Sequence, residues 1–419
     1  MRHLYTLFII ILAPFFTLRL FWKSRLNPGY RQRWLERFGF FETPAIQQSI
    51  WIHAASVGEV QATQQLVKQL QQRYPGKQIV FSTTTPTGAE RVKLLYGNDV
   101  IHFYFPYDIP FVIKRWLRQA RPEKLIMMET EIWPNLLIAC HETQIPAILA
   151  NGRLSEKSLR GYRRFGRFAQ QVFQSIRVVA VQSVDDAERF KQIGVRADQM
   201  DITGSVKFDV SQPAIVREQA EAMRRLIGSG RPVWIAASTR EGEEEAVLAA
   251  HARICEKIPA ALMILVPRHP ERFDKIAQLC EQRGFTLMRR SSNRTCTAEH
   301  KIFLGDSMGE LPMMYQVADV AFVGGSLVDT GGQNVLEPAS FGLPVLFGPS
   351  MYNFATISEM LLCEQAALRV DDAVALADQV IAWLSDASER AKFGENARRL
   401  VEENRGATEK LVSLISTLD

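Results

Sequence analysis

Two carboxylates, a string of glycines and a set of basic residues are the groups in this sequence whose types and spacing suit chemistry. Glu59 closes the run Ala54-Ala55-Ser56-Val57-Gly58-Glu59, just past a stretch of strand character from Ser49 to Ala55. A carboxylate shielded there, beside Gly58 and under Ser56, has its pKa raised by burial toward the range of a general base that takes a proton from an attacking hydroxyl. The same position equally suits a first-turn helix acid, stabilised by the macrodipole by a few tenths to about 1 kcal/mol. Glu129 and Glu131 flank Thr130 ahead of Ile132-Trp133-Pro134-Asn135. In an extended segment they point the same way, either as a metal pair or as one acid toward substrate and one buried. The absence of further oxygen or histidine ligands nearby argues against metal. Glu131 is expected to position or stabilise a substrate, or else to tie its loop to a neighbouring arginine.

The second half carries a different set. Val320 to Val323 has the length and β-branching of a buried strand, and it feeds GGSLVDTGGQNVLEPASFGLPVLFGP, residues 324–349. Gly331 and Gly332 permit positive φ or a close approach to a ligand. Asn334 to Phe341 predicts a short helix whose first amides face the loop, where an anion is held without metal. Asn334 and Glu337 share a face of it, and a carboxylate there can accept both hydroxyls of a ribose diol. Alternatively the glycines only shape a turn and Glu337 only caps a helix. Arg268 and His269, at the end of the strand Ala261 to Val266, and Lys207, in Gly204-Ser205-Val206-Lys207, are phosphate candidates, with surface ion pairing as the other reading.

A third group is Lys157, Arg160, Arg164 and Arg167, with Arg153 and Arg163 close by. Six basic residues stand against one acid between 153 and 167. Recurrence every three or four residues places them along one helix face, either simply solvated or meeting an anionic headgroup. Aromatic residues interleave only as Tyr162, Phe165 and Phe168, which argues against nucleic acid.

The elements that must hold these groups follow from the pattern. At 419 residues, two domains are expected. The five cysteines are odd in number with no C-x-x-C pair, the seven histidines lack metal spacing, and no D-x-D occurs. Strands alternate with helices from Ile50, at Ser49 to Ala55, Ile79 to Ser82, Lys124 to Met128, Ala147 to Ala150 and Val178 to Val181, and again from Val233. This predicts α/β architecture with doubly wound parallel sheets and ligands at the carboxyl ends of the strands. Ser56, Gly58 and Thr84 fall at such ends. Helix is expected from Val60 and from Ala89, with Thr83 to Gly88 a loop. The boundaries read as an anchor over 1–25, a first Rossmann-like domain over 26–210, a linker over 211–232 and a second domain over 233–419.

The net charge of +5 is concentrated at the front: residues 1–40 carry seven basic residues against Glu36 alone, leaving the remainder one charge negative. Leu4 to Leu18 is uncharged, about 22 Å long as a helix against a hydrocarbon core of about 30 Å. Extension to Trp22 with a snorkelling Arg19 makes it an uncleaved signal-anchor or a shallow membrane helix. The basic cluster on its C-terminal side keeps the remainder in the cytoplasm.

Taken together, Ala54 to Glu59, the Ser82 to Gly88 loop, Met128 to Asn135, Asn151-Gly152-Arg153, Pro267 to Pro270 and Gly331 to Pro338 resemble the Kdo transferases, which move 3-deoxy-D-manno-octulosonic acid from CMP-Kdo to a lipid A precursor. The resemblance covers essentially the whole chain. It implies a GT-B fold of two Rossmann-like domains facing a cleft, an inner-membrane location, no metal and no cofactor beyond the CMP-Kdo donor. It also implies Glu59 as catalytic base, Glu131 as an essential acid, and Arg268, Asn334 and Glu337 at the CMP site, with His269, Lys207, Gly331 and Gly332 grouped beside them. Ser56, Gly58, Thr84, Arg153, Lys157, Arg160 and Arg164 are the acceptor candidates. The rival expectations are another membrane-associated GT-B enzyme using a UDP-sugar, and a non-catalytic nucleotide-binding scaffold.

Overall fold

Short apolar runs buried on both faces build two parallel sheets in this protein. A computed structural model describes residues 1–25, 28–41, 46–210 and 215–419. The first sheet comprises β1 (Ser49–His53), β2 (Gln78–Thr83), β3 (Ile101–Tyr104), β4 (Pro122–Met128), β5 (Ala147–Gly152), β6 (Val178–Val181) and β7 (Met200–Ile202), in the order β3-β2-β1-β4-β5-β6-β7. The second comprises β8 (Val233–Thr239), β9 (Leu262–Pro267), β10 (Leu287–Arg289), β11 (Ile302–Leu304), β12 (Val320–Val323), β13 (Val345–Phe347) and β14 (Ala367–Arg369), in the order β10-β11-β9-β8-β12-β13-β14.

Side chains alternate between two cores on each sheet. Trp51 packs on one face with Val80, Trp116 and Leu125, while Ile50 and Ile52 pack on the other with Val60, Phe81 and Ile126. Trp234 and Ala236 oppose Val233, Ile235 and Ala237 in the same way. Burial on both faces is what a parallel sheet sandwiched by helices requires. β3, β7, β10, β13 and β14 were not expected from the sequence, being only three or four residues long at or near sheet edges.

The chain divides into one unit of Met1–Asp209 with Arg405–Asp419 and another of Val210–Asn404. This departs from the expected boundaries twice. The final helix, Ala407–Ser416, belongs to the first unit, where Ala407, Leu411 and Ile415 join the core of Ile50 and Val206. Asp209 accepts from the amides of Gly406 at 2.7 Å and Thr408 at 2.6 Å, and Lys124 pairs with Asp419 at 2.7 Å. The expected linker also contributes to a core. The helix Ile215–Ile227 buries Val216, Ala220, Met223 and Ile227 in the second unit, a three- and four-residue period masked in the sequence by charge, and 211–214 lie outside the described residues.

The helix Arg2–Lys23 is long and apolar enough to cross a membrane. One face packs on the first unit: Tyr5 donates to Asp108 at 2.9 Å, Thr6 to Asn135 at 3.0 Å, and Ala13 is buried against Ile109 and Val112. Leu4, Phe8, Ile11, Phe15, Leu18 and Trp22 are exposed along the other face.

Candidate active site

In an open parallel sheet the ligand crevice lies at the carboxyl ends of the two strands where the strand order reverses. In the first unit those strands are β1 and β4, and in the second β8 and β12. Glu59 follows β1, Glu131 follows β4, and the glycine-rich stretch follows β12.

Glu59 sits in the helix Val57–Ala62, which begins three residues earlier than expected because Ser56 caps it. The Ser56 hydroxyl donates to Glu59 Oε1 at 2.8 Å and accepts from the Glu59 amide at 3.3 Å, while the Ala55 amide donates to Oε2 at 2.7 Å. This is a capping box shifted by one residue. Glu59 is 9% exposed. Burial pushes its pKa up, the Ser56 and Ala55 hydrogen bonds oppose this, and the nearby charges of Glu129 and Glu131 add to the rise. Gly58 and Ser56 are exposed beside it, and Thr84 donates to the Ala55 carbonyl at 2.8 Å. Thr84 precedes a helix that starts at Pro86 rather than Ala89, since Thr85 caps it.

Glu129 and Glu131 do not point the same way. Glu129 has φ 55°, a left-handed conformation that turns the chain out of the extended form. Its carboxylate pairs with Lys207 Nζ at 3.1 Å. Glu131 instead accepts from the Trp133 indole at 3.1 Å and lies 3.8 Å from His53 Nε2. Burial pushes the Glu131 pKa up, but the neighbouring His53 and the Trp133 indole outweigh it and hold the group low. The expected arginine tie is therefore replaced by an imidazole and an indole.

His53 was missed in the sequence. It is fully buried at the end of β1, with Nδ1 3.0 Å from Ser82 Oγ. The signal was a polar residue on the same strand face as Trp51. Lys207 lies in the first unit, in the turn Val206–Phe208, while the glycine-rich stretch lies in the second. Asn151, at φ 57°, accepts from the Val206 amide at 3.1 Å and so helps fix that turn.

Arg153 is exposed, and its carbonyl accepts from the Thr130 hydroxyl, which places it at the turn carrying Glu131. The single basic helix face is corrected. The helix Glu156–Arg163 carries exposed Lys157 and Arg160, Arg164 follows it, and Gly166 at φ 47° breaks the chain before Arg167 opens a second helix.

In the second unit the helix starts at Leu336, two residues later than expected, because the Asn334 side chain turns back to accept from the Leu336 amide at 3.0 Å. Asn334 Nδ2 donates to Glu337 Oε1 at 3.2 Å, so the two are neighbours at the loop. Gly331 and Gly332 have φ 84° and 72°, and a Cβ on Gly332 would fall 2.2 Å from Met351 Sδ. The loop therefore packs against its own chain as tightly as glycine allows.

Arg268 donates to Gln333 Oε1 at 3.3 Å. Arg240, which follows β8, lies against Gly325 and donates from Nη1 to His269 Nε2 at 2.5 Å. Ser238, at φ 59°, bends the end of β8 just before it. Burial and the charge of Arg268 lower the Arg240 pKa. Burial followed by the charge of Arg240 lowers that of His269, consistent with an imidazole accepting at Nε2. Sequence reasoning missed Arg240 and Gln333, although Arg240 stands just past β8 as Arg268 does past β9.

Residues 32–210 match the family described as 3-deoxy-D-manno-octulosonic-acid transferase (kdotransferase), and residues 247–400 match glycosyl transferases group 1. The 3-deoxy-D-manno-octulosonic acid transferase of Haemophilus influenzae is 41% identical over 417 residues, 99% of this chain and 98% of the relative. The chain belongs to the 3-deoxy-D-manno-octulosonic acid (Kdo) transferase family. It is a glycosyltransferase. The Bordetella pertussis member is 34% identical over 99% of this chain and 98% of its own. In fold, this Kdo transferase-family chain is similar to Acinetobacter baumannii MurG, with TM-score 0.56 and 14% identity over 88% of this chain and 99% of that one. Its two Rossmann-like units are of the GT-B class.

Proposed function

We propose that the chain transfers Kdo from CMP-Kdo to a lipid A precursor, with inversion and without metal. The observation that carries this reading is the chemical contrast between the strand ends of the two sheets: carboxylates after β1 and β4 in the first, guanidinium groups after the adjacent β8 and β9 in the second. Glu59 takes the proton of the acceptor hydroxyl as its oxygen bonds to the anomeric carbon. The bond from that carbon to the CMP oxygen breaks, and its electron pair leaves on the phosphate, through an oxocarbenium-like state. Glu131 positions or stabilises the reacting sugar.

Arg268 neutralises the leaving monophosphate, and Asn334 and Glu337 receive the ribose hydroxyls. A single phosphodiester charge is within reach of such cations and backbone amides, whereas a diphosphate usually calls for a metal. Arg153, Lys157, Arg160 and Arg164 receive the acceptor's phosphates or anionic lipid headgroups. The outward apolar face of the helix Arg2–Lys23 enters the inner membrane, with both units on the cytoplasmic side.

Thermal melting with CMP, UDP and EDTA tests the donor side. CMP should raise the melting temperature at concentrations where UDP does not, with EDTA without effect. Stabilisation by UDP alone would point to a UDP-sugar donor instead.

A further inference from the structure

The second unit presents two guanidinium groups past the adjacent strands β8 and β9, one more than the single phosphodiester charge of the proposed donor needs. Arg240, Arg268 and His269 converge on Gly325 and Gln333: Arg268 bonds Gln333, Arg240 bonds His269, and a Cβ on Gly325 would meet Gln333 Nε2 at 3.2 Å and Arg240 Cγ at 3.3 Å. The neighbouring acids are already committed. Glu243 accepts from the amides of Arg240, Gly325, Ser326 and Leu327, Glu244 pairs with Arg272, Glu241 with Lys275, and Glu271 lies 3.8 Å from His269 Nδ1. Among the described residues no carboxylate lies within ion-pair range of Arg240 or Arg268. Arg240 Nε is buried without a hydrogen-bond partner.

Two half-buried guanidinium groups held side by side repel each other, and such an arrangement is favourable when anions occupy it. The donor proposed above carries two anionic groups on one carbon. Its anomeric carbon bears both the phosphodiester oxygen and the carboxylate of the sugar acid. We propose that Arg240 binds that carboxylate while Arg268 holds the phosphate, making Arg240 the residue that selects a sugar acid over a neutral sugar. His269 then acts as a positioning residue, fixing the Arg240 guanidinium through Nε2. The assignment rests on the CMP-Kdo reading.

The test measures CMP affinity by calorimetry and CMP-Kdo KM by product formation, on wild type, Arg240→Gln and Arg240→Lys of the full chain. Arg240→Gln should raise the CMP-Kdo KM by about tenfold to a hundredfold, as loss of a charged hydrogen-bonding partner predicts, with CMP affinity within twofold of wild type. Arg240→Lys, which keeps the charge and loses the fork, should fall between. Equal weakening of both ligands would make Arg240 a phosphate ligand and overturn the assignment, as would no change in either. Wild type that neither binds CMP nor uses CMP-Kdo would instead overturn the donor reading itself.

Discussion

Glu59→Gln separates the catalytic from the structural reading of this residue, because the surrounding hydrogen bonds survive the change. The amide oxygen retains the bond from the Ala55 amide, now 2.7 Å, and the amide NH2 meets the Ser56 hydroxyl, now 2.8 Å from Oε1, which rotates to accept. Stability should change by less than about 1 kcal/mol. Glu59→Ala keeps the Ser56 cap on the residue-59 amide but removes the reciprocal side-chain half of the box, leaving the Ala55 amide short of a partner at a cost of about 1–3 kcal/mol. The rate separates differently. Loss of a general base lowers kcat by about 10²- to 10⁴-fold, or about 2.7–5.5 kcal/mol in the barrier, in both variants. Initial rates at pH 7.5 with saturating CMP-Kdo and lipid A precursor, quantified by mass spectrometry beside thermal melts, make the comparison. Glu59→Gln with a wild-type melt and more than about a tenth of wild-type activity would refute the base assignment and leave Glu59 a first-turn helix acid.

Three further outcomes follow from the same geometry. A base works deprotonated, so activity is lost as pH falls through its pKa. Burial raises that of Glu59 and the charge of Glu129 adds to the rise, so Glu129→Gln should lower it and move the acid limb of kcat/KM to lower pH; a move to higher pH would contradict this. Asp108 is 1% exposed, and burial pushes its pKa up to about 6 despite the amides of Asn135 and Leu136 and the Tyr5 hydroxyl. The folded state therefore favours the protonated form. Its contribution, on the order of 3 kcal/mol, is full below the ordinary carboxyl pKa and lost as pH rises through about 6. Melts of Asp108→Asn should rise less than wild type between pH 7.5 and 5, and identical pH dependence would refute the assignment. Leu411→Ala, in the returning C-terminal helix, should cost the first unit about 2–5 kcal/mol; an unchanged urea midpoint would show that this helix does not complete that core.

The long central strands were legible in the sequence because burial on both faces leaves an unbroken apolar run, as in Ile50-Trp51-Ile52 and Val320 to Val323. The edge strands were not, since three residues such as Met200-Asp201-Ile202 carry too little pattern to distinguish from a loop. Helix starts were misplaced at Val57, Pro86 and Leu336 for one reason: Ser56, Thr85 and Asn334 each satisfy a first-turn amide through the side chain. The positions of Glu59, Glu131 and Arg268 at strand ends could be read from spacing alone. The distant partners of Glu131 and Glu129 could not, because His53 reaches the first and Lys207 the second from segments far away in sequence, and Glu129 and Asn151 enter left-handed backbone that no composition signals. The C-terminal helix shows an ordinary amphipathic period, which says that it packs but not on which sheet.

The account stands most directly on one incubation: purified full-length chain with CMP-Kdo and a lipid A precursor, read by mass spectrometry of the lipid and by release of CMP. The predicted result is a lipid heavier by whole Kdo residues, with one CMP released for each residue added. A lipid of unchanged mass with CMP-Kdo intact, from protein that is folded and binds CMP, would contradict it.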